Sequence, residues 1–348
     1  MSENTSHQVL LVARPEGGVR EDCFRLEPAP RPEPGPGQLL VRVIYLSLDP
    51  AMRGWISEAP NYREALPLGS VMIGFTVGEV AASRHPDYAA GDFVLGRQGW
   101  CEWALSDGGD IHRKLDPAEA PISTALHVLG HTGLTAYLGL TEVGRPQAGE
   151  TVMVSTAAGA VGSMVGQIAR LKGCRAVGLT GSDEKAALCR RDFGYDAAMN
   201  YKTAPDLGGA IAEACPAGID VYFDNVGGPV SDAVLERINV GARIVVCGTI
   251  GIPDGEADEP PPPGPRPNRQ LLIKRARMEG FLVLDHLARL DRLPAELVAW
   301  VGAGKLAFRE DRVAGLENAA SALLRLLSGQ NRGKMMVQVG ADPTLSQH

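Results

Sequence analysis

The stretch Val154-Ser155-Thr156-Ala157-Ala158-Gly159-Ala160-Val161-Gly162-Ser163 constrains the fold of this chain more than any other. It follows a Val- and Thr-rich run, Thr151–Ser155, and opens a segment, 161–172, with helical periodicity. Small residues in the spacing A-x-G-x-x-G let a backbone come close to a pyrophosphate. The helix that follows offers free N–H groups and the positive end of its dipole. A tight turn with close helix packing would ask for the same small residues. The strand before, the helix after and a second strand–helix unit behind favour the phosphate-binding reading.

The surrounding pattern agrees. A second strand run at 174–180 is followed by a helical segment at 183–193, then by a strand at 219–223, a helix near 230–238 and a strand at 242–246. Strands alternating with helices predict an α/β fold, a doubly wound parallel sheet. The first 125 residues or so differ: Pro- and Gly-rich turns, such as Pro28-Ala29-Pro30-Arg31-Pro32-Glu33-Pro34-Gly35-Pro36-Gly37, separate short β-like runs. An irregular, mostly β region is expected there. Residues 253–267, with Pro260-Pro261-Pro262-Pro263, read as a stiff loop. Met335-Met336-Val337-Gln338-Val339 reads as a strand that lies beyond the β/α region and is expected to pair back with the N-terminal β region.

The kind of dinucleotide is decided at the end of the second strand, where a carboxylate would bond a ribose 2′-hydroxyl. That tip reads Leu179-Thr180-Gly181-Ser182, without an acid, and Lys185 follows. A neutral tip beside a cation predicts NADP(H) rather than NAD(H). The ordinary alternative for Lys185 is a solvated helix-face lysine.

Of the 348 residues 45% are hydrophobic and 22% charged, which suits a large folded core. Lys and Arg number 34 against 41 Asp and Glu, a net charge of -7, so nucleic acid and anionic membranes are not expected as partners. The six cysteines, Cys23, Cys101, Cys174, Cys189, Cys215 and Cys247, include no C-x-x-C pair, and no metal site is expected. Scattered thiols and a polar start, 1–8, predict a cytoplasmic protein with free cysteines. Two uncharged stretches, 120–141 and 151–169, are broken by histidine, glycine and other polar residues and read as buried segments of a soluble fold.

Several motifs, in order along nearly the whole chain, carry a resemblance to a known family. They are Leu46-Ser47-Leu48-Asp49-Pro50-Ala51-Met52-Arg53, Gly133-Leu134-Thr135-Ala136-Tyr137, the 157–162 loop, Gly181-Ser182-Asp183-Glu184-Lys185 and Asn200-Tyr201-Lys202. They continue in Tyr222-Phe223-Asp224-Asn225-Val226-Gly227-Gly228, Val246-Cys247-Gly248, Arg277-Met278-Glu279-Gly280-Phe281 and Gly329-Gln330-Asn331-Arg332-Gly333-Lys334. The chain resembles the zinc-independent medium-chain dehydrogenase/reductases, and among them the leukotriene B4 12-hydroxydehydrogenase/prostaglandin reductase group with its bacterial curcumin reductase-like members.

The resemblance implies a GroES-like substrate domain at 1–126, a Rossmann NADP-binding domain at 127–308 and a C-terminal segment, 309–348, that returns to the first domain. It places Gly159, Ala160, Val161 and Gly162 at the pyrophosphate, Lys185 at the 2′-phosphate and Tyr201 near the adenosine phosphate. Asn225 falls near the ribose, and Cys247, Gly248, Thr249 and Ile250 under the dinucleotide. Phe281, Leu282 and Val283 lie beside the nicotinamide, and Asn331 meets the cofactor from the returning segment. Phe281 reads equally well as core. Zinc-bearing relatives carry a His-Glu pair where this chain has Gly74-Phe75-Thr76-Val77-Gly78-Glu79, so metal-free chemistry is implied.

The implied reaction transfers hydride from NADPH to the β-carbon of an α,β-unsaturated ketone or aldehyde, and the resulting enolate is protonated at the α-carbon. Tyr62 aligns with a tyrosine that lines the substrate site in relatives and is the candidate catalytic donor. The bland reading is an exposed loop tyrosine. His127 and His131 could reach the cleft, with a structural or substrate-lining role expected before that of a general acid. Ala51 replaces an aromatic residue of some relatives, and no tyrosine stands near Ile273-Lys274-Arg275, which argues against prostaglandin specificity. The alternatives are an NADPH quinone oxidoreductase of the same fold and a non-catalytic NADP-binding protein. A homodimer is implied by the family.

Overall fold

The computed structural model describes residues 5–59, 61–252 and 264–345. Of the proline-rich stretch, 253–263 lies outside the described residues; 264–267 has no regular structure and leads into the helix Asn268–Lys274. Six strands form one parallel sheet: β8 (Thr151–Ser155), β9 (Arg175–Thr180), β10 (Ala197–Asn200), β11 (Ile219–Asp224), β12 (Ile238–Val246) and β13 (Arg277–Gly280), the numbering running from the N-terminus. Their spatial order is β10-β9-β8-β11-β12-β13. β8 is buried at every position and β11 at all but one, as strands covered on both faces must be, and their Val-, Ile- and Phe-rich sequences follow from that.

The order reverses between β8 and β11. From β8 the chain proceeds outward through β9 and β10; it then returns to β11 and proceeds the other way. A crevice opens at the carboxyl ends of strands flanking such a switch point. Here those ends are Ser155 and Asp224.

The remaining strands are β1 (Thr5–Leu11), β2 (Phe24–Pro30), β3 (Leu39–Ser47), β4 (Thr76–Ser83), β5 (Phe93–Gly96), β6 (Trp103–Ser106), β7 (Ile111–Leu115), β14 (Glu310–Ala314) and β15 (Lys334–Gln338). β1 and β2 pair as an antiparallel ribbon, while the others form a second sheet in the order β14-β15-β3-β4-β5-β7, with β6 on β3. β15 lies antiparallel to β3, with Met336 opposite Ser47. The chain therefore leaves this sheet after β7 and re-enters it some 195 residues later at β14.

The helix His131–Leu138 lies between the two sheets and is buried along nearly its whole length. Leu134 and Leu138 join one apolar cluster that runs from Phe75, just before β4, and Val77 and Leu95 of the second sheet to Val152 and Phe223 of the parallel sheet. Sequence periodicity places a helix near 230–238. The helix is Gly228–Leu235, and β12 already begins at Ile238. Pro229 in the first turn moves the helix start forward, because proline has no N–H to lose there.

Candidate active site

The phosphate loop is built as its spacing requires. Gly159 is the N-cap of the helix Ala160–Leu171, and the first helical bond runs from Ser163 N to Gly159 O, 2.9 Å. The N–H groups of Ala160, Val161 and Gly162 precede that bond and face out of the helix end. A Cβ on Gly162 would stand 2.3 Å from Thr156 O and 2.9 Å from Ala157 Cα, so only glycine lets the helix approach the loop this closely. Ala157 fits in place of a glycine: its Cβ fills the space that Gly178 leaves, where another Cβ would come within 2.7 Å.

At the tip of β9, Ser182 caps the next helix by accepting from Lys185 N at 3.2 Å. Lys185 Nζ donates to Gly329 O at 2.7 Å, which ties this corner to the C-terminal segment. Lys202 lies along Gly181, its Cε 3.4 Å from where a Cβ would stand, and Tyr201 Oη is 3.5 Å from the same point. Burial, with the Lys202 charge beside it, pulls the Lys185 ammonium below the ordinary lysine value. Two cations at a strand tip without a carboxylate repel one another, and an anion between them relieves that repulsion. Asn331, buried, donates to Gly333 O at 2.7 Å, and Gly333 bridges to Gly159. Lys185, Asn331 and the phosphate loop thus meet at one corner.

The crevice end is organised by Asp224. Its buried carboxylate accepts from Tyr222 Oη, Ser155 Oγ, Ser231 Oγ and the amides of Val226 and Gly227. Asn225 then has one orientation: its N–H donates to Ser155 Oγ and its side-chain amide to Ser155 O, both 2.8 Å. The following loop is pinned by Cys247 N to Asp224 O, 2.8 Å, and Gly251 N to Val226 O, 2.8 Å. Phe281 N bonds Val246 O, and its buried ring stacks on His286 at 5.4 Å and lies 3.4 Å from where a Cβ on Gly139 would stand. Leu282 and Val283 follow, half-buried. Thr249 is exposed on the loop, with Ile250 half-buried beside it.

From the second sheet, the turn 49–55 reaches the same region. Arg53 donates to Ile250 O at 3.1 Å and Ile252 O at 2.9 Å. Trp55 Nε1 donates to Tyr62 Oη at 2.8 Å. Tyr62 is 49% exposed, yet burial of its hydroxyl end raises its pKa above the ordinary tyrosine value. His127 is fully buried, its Nε2 3.4 Å from Ala160 O, and burial pushes its pKa down to about 3. His131 stacks on Phe75 at 4.3 Å and donates from Nε2 to Asp49 at 3.0 Å. Lys334, also buried, donates to Asp49 at 2.6 Å and to Leu48 O at 2.9 Å. Burial alone would raise the Asp49 pKa, but Lys334 and His131 together hold it well below the carboxylate range.

Two family models match the chain: one described as an N-terminal domain of oxidoreductase over residues 7–113, the other as a zinc-binding dehydrogenase over 160–300. The NADPH-dependent curcumin reductase of Escherichia coli is 43% identical over 336 residues, 96% of either chain. The NADP-dependent 2-alkenal reductase of Nicotiana tabacum is 40% identical over 309 residues, 88% of this chain and 89% of the relative. CurA from Vibrio vulnificus, solved in complex with NADPH, superposes with a TM-score of 0.89 at 42% identity, covering 97% of this chain and 100% of that one. The chain belongs to the zinc-independent medium-chain dehydrogenase/reductases.

In this medium-chain reductase no three His, Cys, Asp or Glu side chains converge as metal ligands among the described residues. Three contributors escape a reading of the sequence alone. Lys202 has a visible signal, a cation two residues past the end of β10. Asp49 and Lys334 have a fainter one, single charges at apolar strand ends, and their pairing across 285 residues has no local pattern.

Proposed function

We propose that this protein reduces the C=C bond of α,β-unsaturated ketones and aldehydes with NADPH. The observation that carries the reading is the pair of lysines at the acid-free tip of β9, in a chain 43% identical to an NADPH-dependent curcumin reductase. The residues present fit the cofactor. The N–H groups of 160–162 suit a pyrophosphate, and Lys185 and Lys202 a 2′-phosphate, with Tyr201 and Asn331 beside them. Asn225 would meet the ribose, the 247–250 loop would lie under the dinucleotide, and Phe281–Val283 would stand beside the nicotinamide.

Bound NADPH supplies a hydride, which reduces the β-carbon of the substrate; the enolate so formed is protonated at the α-carbon. The chain's part is to orient the substrate and to stabilise charge on its oxygen. Tyr62 is suited to that task. Tryptophan N–H can only donate, so the Tyr62 oxygen is the acceptor in the Trp55 bond and its own proton remains to be given. A tyrosine hydroxyl holds its proton at neutral pH in any case, and burial raises this pKa further.

The protein is also proposed to act as a homodimer in the cytoplasm. β13 is the outer strand of the parallel sheet and all four of its residues are exposed. Near it Leu272, Ile273 and Met278 are exposed apolar side chains, a surface that a second sheet edge would cover. Six free cysteines, five of them buried, suit a reducing compartment. Among the described residues no helix is long and apolar enough to cross a membrane.

The function is tested by following NADPH absorbance with aryl enones, enals, quinones and simple ketones. Rapid oxidation with enones, and a saturated ketone as product, is expected. Turnover of quinones alone, or none despite tight NADPH binding, would overturn the reading.

A further inference from the structure

The turn 49–55 is fastened to the rest of the molecule at both ends, by different chemistry. At its start Asp49 is the shared acceptor for Ser47 at the end of β3, His131 of the helix between the sheets and Lys334 of β15. Lys334 directly follows Gly333, which bridges to Gly159 of the phosphate loop. At its end Arg53 places its guanidinium on two carbonyls, Ile250 O and Ile252 O, of the loop that follows β12. Between these points the turn is internally bonded, Met52 N to Asp49 O at 3.0 Å and Arg53 N to Pro50 O at 3.1 Å, so movement at one end is felt at the other. Trp55, which holds Tyr62, is the next turn residue but one after Arg53.

We propose that Arg53 and Asp49 are positioning residues: together they set the gap between the substrate-side turn and the cofactor-side loop 247–252. This rests on the reductase reading for the location of that gap. The planar fork of arginine matches two carbonyls at once; a lysine keeps the charge but not the fork. Arg53 is half-buried, and the two carbonyls it spans carry no charge. Asp49→Asn, in contrast, leaves the Lys334 ammonium uncompensated and endangers folding. The test therefore rests on variants of Arg53.

Arg53→Met and Arg53→Lys are compared with the unaltered protein by three measurements. These are NADPH affinity from cofactor fluorescence, kcat and KM for an aryl enone, and amide hydrogen exchange without substrate. In Arg53→Met, kcat/KM is expected to fall at least tenfold, because displacements of about 1 Å cost up to ~100-fold in a reacting pair. NADPH affinity stays within twofold. Exchange rises in 49–55 and 247–252 together, and Arg53→Lys recovers part of the activity. Unchanged exchange in either segment, unchanged kinetics, or NADPH affinity lost in step with activity would overturn the proposal. An unaltered protein inactive with enones would refute the reductase reading, and exchange alone would still decide the role of Arg53.

Discussion

Lys185 has three N–H donors and gives one to Gly329 O, so two remain for an oxyanion beside Lys202. Removing either lysine is expected to raise KM for NADPH on the order of tenfold or more, while KM for NADH, which has no 2′-phosphate, changes little. Steady-state kinetics with both cofactors checks this; an equal change for both would contradict the assignment. His127 gives a second test at this scale. Burial first, and the Lys334 charge second, hold it neutral in the folded protein down to about pH 3, whereas the unfolded residue is protonated below about 6.5. Its contribution to stability is complete above pH 6.5 and is lost as pH falls, by up to about 1.4 kcal/mol per pH unit. Melting temperatures between pH 7 and 4.5 should decline less steeply for His127→Gln than for the unaltered protein; parallel curves would refute this.

At the scale of elements, the phosphate loop and its helix form one unit held by a single close approach. In Gly162→Ala the added methyl would meet backbone at 2.3 Å, so loop or helix must shift. Overpacking typically costs ~1–3 kcal/mol, and NADPH affinity, followed by fluorescence titration, is expected to weaken about tenfold. Affinity unchanged in a folded variant would show that the loop does not hold the cofactor. The loop is legible in the sequence because its demand is local: strand, small residues and helix lie within about twenty consecutive positions. The crevice beside it is half legible. A polar residue directly after β11 marks Asn225, but Ser155 and Asp224, which orient it, belong to a hydrogen-bond set spanning some 70 residues. Arg53 stands in a motif visible in the sequence, yet nothing near it in the chain reveals that its acceptors are Ile250 and Ile252.

For the whole molecule, alternation of strand and helix identifies the parallel sheet, and the short apolar run at the C-terminal end marks β15. Its place beside β3 depends on the shared apolar core, which no periodicity encodes. The exposed edge at β13 makes the assembly testable. Light scattering should give twice the mass of one chain, and Met278→Arg, which sets a charge on the edge strand, should shift it toward one. A mass of one chain in the unaltered protein would remove the dimer. The central claim is the site of hydride delivery, and one measurement reads it directly. The protein is supplied with NADPH deuterated at the transferable position and an aryl enone, and the product is examined by NMR. Deuterium at the β-carbon of a saturated ketone is expected; deuterium on the carbinol carbon of an allylic alcohol would contradict it.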